Sequence, residues 1–143
     1  MTTRDADGPR SAPSYTRLYA DADGETHFED VHLPTRAETH TSGALTAVSD
    51  LVRVEGLIFR RVIEDVETGV PHNAPYRLLI IMLEGAAEVT VSDGERRVFG
   101  PGSVMLVEDT VGRGHLTRPV GDTPRLTLFA PLPADDGVAG MPG

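Results

Sequence analysis

Pro71-His72-Asn73-Ala74-Pro75-Tyr76-Arg77 runs without a break into Leu78-Leu79-Ile80-Ile81-Met82-Leu83-Glu84 and closes on Gly85. An almost continuous apolar run of this length, bounded by turn formers, predicts a strand buried on both faces. Side chains alternate along a strand, so residues of one parity share a face. His72, Ala74, Tyr76, Leu78, Ile80 and Met82 are therefore expected to line one interior wall together.

The rest of the chain narrows what surrounds that wall. At 143 residues it fits one domain with room for a real core. It has no cysteine, which excludes disulfides, a thiolate nucleophile and Cys-based metal sites. All 13 of its basic residues are arginine, so Schiff-base chemistry has no amine to use. A net charge of −9 argues against nucleic acid as a partner, because neutralising phosphates needs a basic face. No apolar run approaches the roughly 20 residues of a membrane helix, and the start shows no basic region followed by an apolar one. The expectation is a soluble cytoplasmic protein with no membrane partner.

Residues 1–13 are polar and carry Gly8, Pro9 and Pro13, and 134–143 end in Gly-Met-Pro-Gly; both read as tails around a barrel at 14–133. Between them no long helical period appears. Short β-rich runs alternate with turn signals, the pattern of an all-β sandwich or barrel. Strands are expected at 15–19, 27–33, 44–48, 51–54, 57–66, 76–83, 87–91, 96–99, 104–107 and 126–130. Asp93-Gly94 is the strongest hairpin signal, and Gly100-Pro101-Gly102 marks a second tight turn. Asp21-Ala22-Asp23-Gly24 reads as a hairpin turn, since it lacks the longer ligand series and helices of a calcium loop.

Gly69-Val70-Pro71-His72, Leu83-Glu84-Gly85, the Asp93-Gly94 hairpin and Gly100-Pro101-Gly102 together resemble the cupin superfamily over residues 54–131. The likeness extends to Pro101-Gly102, Val107-Glu108-Asp109-Thr110 and Gly112-Arg113-Gly114-His115 of small single-domain cupins. It implies a double-stranded β-helix, the jelly-roll cupin barrel, commonly paired as a homodimer through its N-terminal strands. Three imidazoles and a carboxylate hold a divalent metal in that family. Here His72 fills the first ligand slot, Ala74 the second and Leu78 the Glu slot, while Glu108 replaces a proline ahead of His115. A methyl and an isobutyl group where ligand atoms belong lead us to expect neither metal nor other cofactor.

His72 and His115 are then the acid–base candidates, because imidazole takes or gives a proton near neutral pH. Tyr76 is expected inward with its hydroxyl free to polarise a carbonyl. Glu108 at a strand end is a candidate base, whereas Asp109 reads as a loop cap for the Gly-rich turn. Arg113 and Arg118 read as solvated loop charges. Arg60 and Arg61 point to opposite faces, so one of them faces inward and needs a carboxylate from Glu84, Glu88 or Glu108. Substrate contacts are expected from Leu78, Ile80, Met82, Arg61 and Phe59. An apolar barrel with polar groups at one end suits an apolar small-molecule substrate. Metal-independent cyclisation, isomerisation or dehydration of a polyketide-like compound is the leading expectation. A non-catalytic binding protein, or a metal-dependent oxygenase or isomerase with a two-His site, is the alternative.

Overall fold

The structure, a computed structural model, describes residues 13–134; except for Pro13 and Ala134, the expected tails lie outside them. Eleven strands form among the described residues: β1 (Ser14–Ala20), β2 (Thr26–His32), β3 (Thr35–Thr39), β4 (Leu45–Ser49), β5 (Ile58–Arg61), β6 (Leu78–Glu84), β7 (Ala86–Val91), β8 (Arg96–Phe99), β9 (Val104–Val107), β10 (His115–Val120) and β11 (Leu126–Pro131). No helix among those residues is long and apolar enough to cross a membrane. The chain is all-β. Its strands form a six-stranded sheet in the order β2-β1-β9-β6-β11-β5, a three-stranded sheet β10-β7-β8, and the separate hairpin β3-β4. None of the three closes on itself.

The core lies between the two larger sheets. Leu18, Leu78, Met82, Met105 and Val107 from the large sheet meet Val89, Val91 and Phe99 from the small one. Alternation turns Leu79, Leu106 and Ala130 to the other side of the large sheet, where they cluster with Tyr15 and Val31 of the same sheet and with Val52. β6 is thus buried on both faces at its start, as its apolar run requires.

The local turn chemistry fits the sequence. In the Asp93-Gly94 hairpin, Gly94 has φ +98° and its amide donates to the Val91 carbonyl at 3.0 Å. Two expected strands do not form as such. Residues 51–54 cross as irregular chain, although Val52 still packs on the outer apolar cluster. The run 57–66 keeps only β5, because Val62 makes the last bond towards Arg125 and the chain then leaves the ladder. Two strands were not anticipated. β3 is exposed along its whole length and so lacks an apolar alternation. β10 contains Pro119, which is tolerated because β10 is an edge strand paired only with β7.

Candidate functional site

His72 and His115 are held together by backbone before their side chains meet. Each amide donates to the other's carbonyl, His72 N to His115 O at 3.0 Å and His115 N to His72 O at 2.9 Å. Such a mutual pair puts both side chains on one face, and the ring centroids lie 4.4 Å apart at 59°. Gly114 makes the approach feasible. It has φ +76°, and a Cβ there would lie 2.5 Å from the His72 carbonyl oxygen. His115 sits opposite Val91 in the β10–β7 ladder and so faces the core, only 8% exposed, whereas His72 stands in the mouth of the cavity and is exposed.

The carboxylate of the site is Asp109, not Glu108. Continuing the alternation of β9 past Val107 turns Glu108 outward and Asp109 inward. Asp109 is 0% exposed, and its Oδ2 lies 2.5 Å from His115 Nδ1. Its Oδ1 has no hydrogen-bond partner among the described residues. Its backbone carbonyl accepts from the Ala74 amide and from Asn73 Nδ2, each at 3.2 Å, tying the loop to the His72 segment. The loop-cap expectation for Asp109 is therefore corrected. Parity from Val107 was the signal that could have found it.

Glu108 instead sits on the outer face with Arg17 Nε at 2.6 Å and Arg77 Nε at 2.7 Å. Both of its oxygens are engaged by guanidinium groups, so it is a structural ion-pair centre and not a base in the cavity. Burial, and then Glu108, push the neighbouring Tyr15 hydroxyl up to about 12. The His72 imidazole is held below its ordinary range. Partial burial against its neighbour is the largest cause despite its open outer side, and His115 adds to it against an opposing pull from Asp109.

Both histidines open on a cavity of about 810 Å³ between the two large sheets, floored by Leu78, Ile80, Met82, Met105 and Phe129. That volume falls in the roughly 300–1,000 Å³ range of small-molecule sites. Ala74 and Leu78, in the slots where the resemblance would put metal ligands, are core residues on this wall. Among the described residues no three histidine, aspartate or glutamate side chains converge to hold an ion. The residues present do not fit the metal of the family that the sequence resembles.

Three expected contacts lie elsewhere. Tyr76 precedes β6, is 41% exposed and does not line the cavity, because alternation inferred from the strand does not extend through the bend at Pro75. Phe59 and Arg61 occupy the outward parity of β5. Phe59 is 71% exposed, and Arg61 Nη1 lies 2.7 Å from Glu84 Oε1 on the outside. The inward arginine is Arg60, placed there by its ladder partner Thr127. Arg118 pairs with Glu88 at 2.6 Å and Arg113 with Glu25 at 2.9 Å. No family model matches the chain, and no curated protein matches it.

Proposed function

We infer that the chain is a metal-independent enzyme of the cupin type that moves a proton on an apolar, carbonyl-bearing small molecule, so driving cyclisation, isomerisation or dehydration. The observation that carries this reading is the buried Asp109–His115 pair, with His72 against it, at an apolar cavity. A carboxylate on Nδ1 holds that nitrogen's proton and leaves Nε2 as the proton acceptor. His115 Nε2 is the base, Asp109 orients it, and His72, neutral near pH 7, hydrogen-bonds the substrate carbonyl. The apolar walls hold a flexible substrate in reactive shape, a positioning effect worth up to roughly 7–11 kcal/mol in the best intramolecular cases. Two sheets with sequence-distant antiparallel neighbours, β6 with β11 and β7 with β10, support the jelly-roll barrel as the scaffold. The homodimer implied by the resemblance, and the cytoplasmic setting expected from the lack of a membrane-length apolar run, belong to the same reading.

The test uses a probe that needs only a base: ring opening of 5-nitrobenzisoxazole. His115→Gln should slow it by about 10²–10⁴-fold, with the fold intact by circular dichroism. A variant as fast as the unaltered protein would leave the cavity a binding site without turnover.

A further inference from the structure

Four arginines and three carboxylates border the cavity or its rim, in a chain of net charge −9. Two of the arginines pair with those acids, and a third, Arg96, is turned away from the interior. Arg125 Nη1 lies 2.6 Å from Asp65 Oδ2. Arg118 Nε lies 2.6 Å from Glu88 Oε1 and also feels Glu67, while Arg96 shares the field of Glu88. Alternation turns Glu88, Arg96 and Arg118 away from the buried Val89 and Val91, to the far face of the small sheet. Arg60 is different. Its guanidinium lies over the Phe129 ring, 4.3 Å from the centroid, with no carboxylate in ion-pair range among the described residues.

A second, independent observation falls at the same place. Thr127 is directly opposite Arg60 in the β11–β5 ladder, so the two side chains emerge on one face. It lines the cavity, is 5% exposed, and its Oγ1 has no hydrogen-bond partner among the described residues. A buried hydroxyl without a partner is destabilising unless something else supplies the bond. Stacking on Phe129 occupies the flat face of the guanidinium and leaves its N–H edge free. An N–H fork beside a hydroxyl donor is the arrangement that grips a planar carboxylate. Met82 and Ile80, the ladder neighbours of Thr127 and Phe129, continue from it as an apolar wall.

We propose that Arg60 and Thr127 form a carboxylate-binding subsite, and that the ligand is an apolar monocarboxylic acid. Its carboxylate is held on β5 and β11 of the large sheet while its body reaches His115 on β10 of the small one. The identity of this ligand as a substrate rests on the proton-transfer reading above; the subsite itself does not.

Calorimetric titration with 2-naphthoate and with its methyl ester tests it. The unaltered protein should bind the acid at least about tenfold more tightly than the ester. Arg60→Gln should abolish that preference and leave ester affinity unchanged. Thr127→Val should weaken the acid about three- to tenfold, and Thr127→Ser should retain it. Arg60→Gln with undiminished naphthoate affinity, or with equal losses for acid and ester, overturns the subsite. His115→Gln should keep the preference for the acid. Because 5-nitrobenzisoxazole carries no carboxylate, failure of the base assay with the preference intact removes the proton-transfer reading alone.

Discussion

Two histidine sites in this molecule use the same side chain to opposite ends. At the hairpin tips, His27 lies between two carboxylates, with Nε2 2.7 Å from Asp21 Oδ2 and Nδ1 2.8 Å from Asp93 Oδ2. Both ring nitrogens face acceptors, so the doubly protonated ring is favoured. The Asp21 bond, then the Asp93 bond, raise its pKa above the ordinary 6.5. His27 clasps the β1–β2 and β7–β8 turns together. In the cavity mouth partial burial lowers the His72 pKa, and the second imidazole that it faces, in place of a carboxylate, lowers it further. The carboxylate beside that pair, Asp109, engages His115 from the buried side. Partial burial is the largest cause acting on His72 and only a minor one on His27. The placement of carboxylates separates the two sites further.

The largest difference should appear when each carboxylate is removed. Asp109→Ala strips a buried partner from His115 and should cost about 3–5 kcal/mol, read from the urea midpoint. Asp21→Asn at the clasp keeps the turn and removes an exposed charge, so it should shift the midpoint far less. Equal costs would erase the distinction between a buried pair and a surface clasp.

Gly114→Ala comes next. Its Cβ would meet the His72 carbonyl at 2.5 Å in a left-handed backbone conformation. We expect a loss of about 2–3 kcal/mol and separation of the two rings, seen as changed His72 and His115 resonances in NMR. The clasp resonances of His27 should stay in place.

The smallest effect is one of sign in the pH dependence. His27 holds more protons folded than unfolded, so its contribution is full below about pH 6.5 and is lost as pH rises through its elevated folded value. His72 holds fewer, so its contribution is present above about pH 6.5 and is lost as pH falls through its depressed folded value. Urea midpoints measured across this range should show His27→Gln flattening the alkaline side and His72→Gln the acid side. A common slope in both variants would show that the two histidines titrate alike.

Much of the fold was legible because it is locally encoded. The apolar run from Leu78 reads as a doubly buried strand, and Asp93-Gly94 reads as a turn, each from neighbours in sequence. What escaped depends on parity and on partners. Arg60 and Arg61 are indistinguishable in the chain until the β11 register turns one inward beside Thr127. Glu108 and Asp109 are likewise adjacent acids that one step of alternation sends to opposite faces, one to Arg17 and Arg77, the other to His115. Tyr76 was misplaced by extending a strand's alternation into residues that are not strand.

By itself, the amino-acid order determined the class of structure, the apolar wall and the turns, since these follow from periodicity and backbone preference over a few residues. The tertiary structure alone decided which histidine meets which acid. Those pairs join positions as far apart as His27 and Asp93, 66 residues, and depend on the absolute facing of each strand. Alternation says which side chains share a face; only packing one sheet against another says which face is the inside.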